Sequence, residues 1–157
     1  GRWVVAAVHA GNEPARIGVD QLAALPAFLA RRRALVDRYF QRLATVPACV
    51  LPPRPAGPDD GFSWNMFCVL LPLDRLSIDR KGVREALHAR GVGTGISYEA
   101  LHLTTLGRRC GGREGQFPAA ERIARETLTL PLFTAMADGD VDRVCDALAE
   151  VLSAHAR

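Results

Sequence analysis

The sequence has 157 residues, of which 48% are hydrophobic and 24% charged, with a formal net charge of +3. That length supports one domain with a real core, covering about 70% of the surface its unfolded chain would expose. The charge is too small and too dispersed to steer the chain toward a polyanion, and no apolar run reaches the roughly 18 residues of a membrane span, so neither nucleic acid nor membrane is expected as a partner.

The first predicted element is a short strand over residues 3–8, WVVAAV, ended by Gly11, Asn12 and Pro14. A long helix follows over residues 17–43, where Leu22, Leu25, Leu29, Val36, Phe40 and Leu43 recur at three- and four-residue steps and lay an apolar stripe along one face. Pro26 interrupts that pattern, removing a backbone donor and crowding the preceding turn, so a kink or a restart is expected there. Arg31, Arg32, Arg33, Arg38 and Arg42 read as a solvated face, with a partner-binding strip as the alternative.

Pro47, Pro52, Pro53, Pro55 and Pro58, with Gly57 and Gly61, form a connector that cannot be helical. Residues 62–71, FSWNMFCVLL, carry bulk on both alternating faces and predict a central strand. Asp79 is placed to cap a helix whose inner face carries Val83, Ala86 and Leu87, and Gly91 to end it in a left-handed conformation. A glycine-weakened strand is expected over residues 92–98, and a glycine- and arginine-rich loop over 107–116.

Pro118 opens a further helix through Glu126, with Glu121 and Arg125 as an i, i+4 pair, and residues 127–133 read as a short strand or extended arm. Asp138 is the expected cap of a last helix carrying Val141, Val144, Leu148, Val151 and Leu152 on one face. Helices and strands alternate in a pattern that predicts an α+β fold with a small, mainly antiparallel sheet.

Chemistry is sparse in this pattern. Cys49, Cys68, Cys110 and Cys145 form no CxxC pair, so reduced thiols, a cytoplasmic location and no metal site are expected, with a disulfide pair as the alternative. GVGTGI, residues 91–96, has isoleucine where a dinucleotide fingerprint needs its third glycine, and it leads toward a strand. His102, set between leucines, reads first as a packed imidazole and second as a functional group. Glu99 reads as a solvated loop carboxylate. Lys81 is the only lysine and sits in the charged turn DRKG, where water keeps an amine ordinary, so no catalytic residue is assigned.

Three segments carry more. RIGVDQLAALPAFLARRRALVDRY, ALHARGVGTGISYEALHL and GQFPAAERIARETLTLPLFTAMADGDVDRV resemble the C-terminal portion of the DegT-type sugar aminotransferases, pyridoxal phosphate enzymes of fold type I. The resemblance implies the small domain of such an enzyme. Residues 1–16 would be the approach from the larger domain, 17–46 a long linking helix and 47–157 the α+β small domain.

It further implies transfer of an amino group from glutamate to a keto sugar carried on a nucleotide, in a homodimer. The Schiff-base lysine and the pyridine contacts would lie in the preceding large domain, so no pyridoxal phosphate is expected on this chain alone. Tyr98 and His102 would contact the substrate, with Ser97 and Glu99 as secondary candidates, and Asn12 would reach the cofactor phosphate of a neighbouring subunit.

The sequence departs from the family at Ser97 and at Asn65 after Trp64, where histidine is usual, and in a shortened turn before residue 17. The shortened turn, together with the missing Schiff-base lysine, motivates an alternative, a non-catalytic dimerisation or regulatory remnant of such an enzyme.

Overall fold

A computed structural model describes residues 12–44, 46, 49–54 and 62–157, with side chains from residue 16 onward. The strand expected over 3–8 lies outside the described residues. The elements are α1 (Asn12–Leu43), β1 (Phe67–Leu70), α2 (Arg80–Ala89), α3 (Thr105–Arg109), α4 (Pro118–Glu126), β2 (Thr127–Leu130) and α5 (Asp138–Ala154). Two 3-10 turns, Leu73–Arg75 and Leu101–Leu103, join them. The fold is α+β with a small antiparallel sheet, as the alternation of elements predicts.

α1 starts earlier than expected and passes Pro26 without a break. Pro26 and Leu22 are both exposed, so the carbonyl that the proline leaves without a helical donor stands open to water. The helix has two unlike halves. Ile17, Val19, Leu22 and Leu25 are exposed, whereas Leu35, Val36, Tyr39 and Leu43 are buried in the core.

The arginine strip on α1 is neither a solvated face nor a free binding strip. Arg31 donates to Asp138 at 2.8 Å, Arg38 meets Asp142 through both Nε and Nη2, and Arg42 reaches Asp142 and Asp146, so that three arginines of α1 interlock with three aspartates of α5. Spacings of seven and four residues on one helix and four and four on the other keep these groups on facing surfaces. The Arg38 guanidinium holds the Asp142 carboxyl below the ordinary carboxylate range, through its hydrogen bond first and its charge second.

β1 and β2 pair antiparallel, Phe67 opposite Leu130 and Val69 opposite Leu128. Val50 bridges to Leu70 on one side and Gly95 to Thr129 on the other. The strand expected over 62–71 is thus confined to its second half. Trp64 takes a positive φ of 40° and buries its indole beside Phe40, Phe62 and Phe67, so aromatic packing overrides extended propensity before residue 67. The strand expected over 92–98 shrinks to the single Gly95 bridge, because glycines give a sheet no side chains to pack.

α2 follows its sequence signals. Asp79 accepts from the Gly82 N–H at 2.8 Å, and Gly91, at φ 75°, closes the helix while the Val92 N–H donates to the Leu87 carbonyl. Pro118 opens α4 at its first turn. α5 differs at its start: Asp138 lies inside the helix, and Asp140 instead caps the Ala137 N–H at 2.9 Å, which frees Asp138 for Arg31.

The core gathers α1, α2 and α5 around the sheet. Tyr39 is fully buried, stacks on Phe67 at 4.8 Å and donates its hydroxyl to the Pro131 carbonyl at 2.7 Å. Burial raises its phenol well above the ordinary range. Tyr39→Phe leaves that carbonyl without a partner and is expected to cost about 1–2 kcal/mol by urea denaturation. A loss under about 0.3 kcal/mol would show that the hydroxyl contributes nothing there.

Candidate functional site

The segment from Ile96 to Thr104 leaves the sheet at the Gly95 bridge and crosses to α4. Ser97 turns inward, its hydroxyl 2.9 Å from that of Thr129, and the Ser97–Tyr98 peptide is cis. Tyr98 then stands 71% exposed, followed by an exposed Glu99 and a buried Ala100 that pins the chain down. The Leu101–Leu103 turn comes next, and Thr104 caps α3 by accepting from the Gly107 N–H. α3 itself occupies part of the expected 107–116 loop, because that cap and the backbone bonds onto Gly107 organise it as a helical turn.

His102 is turned into the protein. Its side chain is 11% exposed, its ring meets Phe117 edge to face at 4.9 Å, and Nε2 lies 2.8 Å from Glu121 Oε1. Glu121 also accepts from the Gly115 N–H at 3.0 Å and the Phe117 N–H at 3.3 Å. The bond from His102 and the two amide bonds hold the carboxyl below its ordinary range, outweighing partial burial. An ionised carboxylate only accepts, so the proton between the two groups belongs to Nε2.

Tyr98, Glu99 and His102, together with Phe117 and Ile123, line one shallow concavity of about 490 Å³. Among the candidates, Ser97 does not line it, being bonded into the sheet. Asn12 opens α1, and its side chain lies outside the described residues. The concavity is mostly apolar with a phenol at its rim, an arrangement suited to one face of a ring-shaped polar ligand.

Glu121 was not among the sequence candidates, because Arg125 one turn later offers an apparent partner. Arg125 pairs with Glu126 instead, and Arg122 makes the i, i+4 pair with Glu126. A larger concavity of about 660 Å³ collects Arg80, Lys81, Arg84, Arg125 and Arg157 near the start of α2. Much of its charge is already engaged: Arg80 donates to the Ala124 and Thr127 carbonyls that end α4, Lys81 faces Glu85 and Arg125 faces Glu126.

Lys81 is 79% exposed at its side chain, as its sequence context predicts. All four cysteines are free. Burial pushes the thiol of Cys49 up to about 11 and that of Cys145 up to about 12, which keeps both inert as nucleophiles. Among the described residues there is no cluster of metal-ligating side chains and no helix long and apolar enough to cross a membrane.

Residues 12–149 match a family model described as the DegT/DnrJ/EryC1/StrS aminotransferase family. The aminotransferase TlmJ from Streptoalloteichus hindustanus is 39% identical, with a TM-score of 0.74 over 88% of this chain and 35% of that one. DesV from S. venezuelae, solved in complex with a ketimine intermediate, is 33% identical with a TM-score of 0.72, covering 83% of this chain and 33% of its own. Spr1654 from Streptococcus pneumoniae, described as a sugar aminotransferase and solved in its PLP form, shares the fold at 24% identity and a TM-score of 0.78, over 87% of this chain and 34% of that one. The chain spans about a third of the length of each of these structures.

Proposed function

The chain belongs to the DegT/DnrJ/EryC1/StrS aminotransferase family, and on that premise we propose that it is the C-terminal small domain of an enzyme that moves an amino group from glutamate to a keto sugar carried on a nucleotide. In this reading residues 1–16 lead in from a larger domain, 17–46 link the two domains and 47–157 form the small domain. The observation that carries the site is the exposed Tyr98 standing over an apolar concavity on a loop pinned at Ala100 and His102.

Pyridoxal phosphate, the cofactor such chemistry uses, does not fit the residues of this chain as a covalent partner. A Schiff base needs a desolvated amine, and Lys81, the only lysine, faces water and Glu85. The cofactor's lysine and its phosphate cradle belong, in this proposal, to the larger domain.

The task left to these residues is binding and orientation of the sugar. Tyr98 offers a phenol that can donate or accept, and Phe117 and Ile123 give an apolar floor against one face of the ring. The exposed Ile17, Val19, Leu22 and Leu25 of α1 suit a face covered by the larger domain and by a second copy in a homodimer.

In an enzyme carrying both domains, Tyr98→Phe is expected to lower the sugar-side kcat/KM about three- to tenfold, the worth of one hydrogen bond, with the glutamate half-reaction unchanged. Stopped-flow measurement of the two half-reactions separates them. Equal loss in both would mean that Tyr98 serves folding or the cofactor, and the reading would fall.

A further inference from the structure

The carboxylate of Glu121 is engaged beyond what a residue in the first turn of an amphipathic helix requires. Three donors from two stretches of chain converge on it: His102 Nε2 at 2.8 Å and the Phe117 N–H at 3.3 Å on Oε1, and the Gly115 N–H at 3.0 Å on Oε2. Its side chain is 16% exposed, so water competes weakly for these bonds.

The His102 end of this arrangement is equally constrained. The ring is wedged beside Phe117, and the Leu101 and His102 backbone lies so close to Gly107 and Gly112 that a Cβ at either glycine would come within 2.1 Å of a carbonyl oxygen. The Leu101–Leu103 turn is thus clamped by backbone on one side and by Glu121 on the other. Tyr98 precedes this turn by a few residues, with Ala100 buried between them. A shift of the turn carries the phenol with it.

We infer that Glu121 is a positioning residue of the substrate site, acting through His102 to fix where Tyr98 presents its hydroxyl. This rests on the reading of Tyr98 as a substrate contact. It also assigns His102 a structural duty: with Nε2 donating to Glu121, that nitrogen does not serve the sugar. Placement to within about half an ångström governs how well a polar contact is used, so loosening the clamp acts on binding before it acts on chemistry.

Two measurements test the inference. On this chain, long-range 1H–15N spectra of the histidines are expected to show His102 protonated at Nε2, with that resonance displaced in Glu121→Gln, which keeps the side-chain size and an acceptor for one amide but replaces the ionised oxygen facing the ring. In the two-domain enzyme, Glu121→Gln is expected to raise the KM for the nucleotide sugar about three- to tenfold, with kcat and the glutamate half-reaction within about twofold of wild type. The double variant with Tyr98→Phe should be no worse than Tyr98→Phe alone, since both act on one contact.

Glu121→Gln with an unchanged sugar KM, beside a Tyr98→Phe that does raise it, would overturn the inference and leave the function standing. A silent Tyr98→Phe would remove the function reading, and the inference with it. An unprotonated Nε2 in the wild-type chain would overturn the inference by itself. Glu121→Ala, which removes all three bonds, serves as a second variant only if its far-UV spectrum and melting remain cooperative.

Discussion

Gly107→Ala and Gly112→Ala are each expected to cost about 3 kcal/mol or more, because the added methyl meets backbone that cannot step aside. At Gly107 the Cβ would lie 2.1 Å from the Leu101 carbonyl oxygen and 2.7 Å from two backbone atoms of His102; at Gly112 it would lie 2.1 Å from the His102 carbonyl oxygen and 2.9 Å from that of Gly107. Relief requires opening the turn and undoing the Gly112 N–H bond to Gly107 and the Thr104 cap of α3. Gly93→Ala is the control, since nothing lies within 4 Å of a Cβ there. Urea denaturation of the three variants decides the matter. Gly107→Ala as stable as Gly93→Ala would show that the close approach carries no constraint.

Phe67→Ala is expected to cost about 3–5 kcal/mol, a large part of the roughly 5–15 kcal/mol that holds a domain folded. Phe67 is fully buried where three elements meet, stacked on Tyr39, edge-on to Phe40 at 5.4 Å and paired with Leu130 across the sheet. Removing the ring leaves the α1 aromatics facing a void that the β1 backbone is too constrained to fill. Phe67→Leu keeps most of the volume and should cost less than about 1.5 kcal/mol. A midpoint for Phe67→Ala close to that of Phe67→Leu would mean that the site collapses and that the aromatic stack is not the joint between helix and sheet.

Elements whose signals are local were legible in the sequence. α2 was fixed by Asp79 and Gly91, α4 by Pro118, and α5 by the four-residue rhythm from Val141 to Leu152, each of which acts within a turn or two of itself. What escaped was decided by distant partners. The arginines of α1 find their aspartates 100 to 107 residues away, and Glu121 ignores Arg125 for a histidine 19 residues back. A helical spacing cannot report either choice. The extended run through Trp64 and the strand over 92–98 failed for a related reason, since aromatic packing and the lack of glycine side chains outweighed the alternation of residue types. Of the site, the stretch from Tyr98 to His102 was visible through its resemblance, but the carboxylate that orders it was not.

The interlocked charges of α1 and α5 also set a timetable. With 100 to 107 residues between partners, a ribosome adding about 5–20 residues per second completes the arginine face roughly 5–20 s before the aspartates that complement it emerge. Throughout that interval Leu35, Val36, Tyr39 and Leu43 lack the α5 surface that covers them in the finished fold. Arginines beside those apolar residues give the waiting helix a positive charge that repels identical nascent chains on the same polysome. α5, made after the other described helices, is therefore the one that covers this part of the core. A chain halted before residue 138 carries an uncovered apolar stripe beside a row of cations, a surface that the paired helices no longer present.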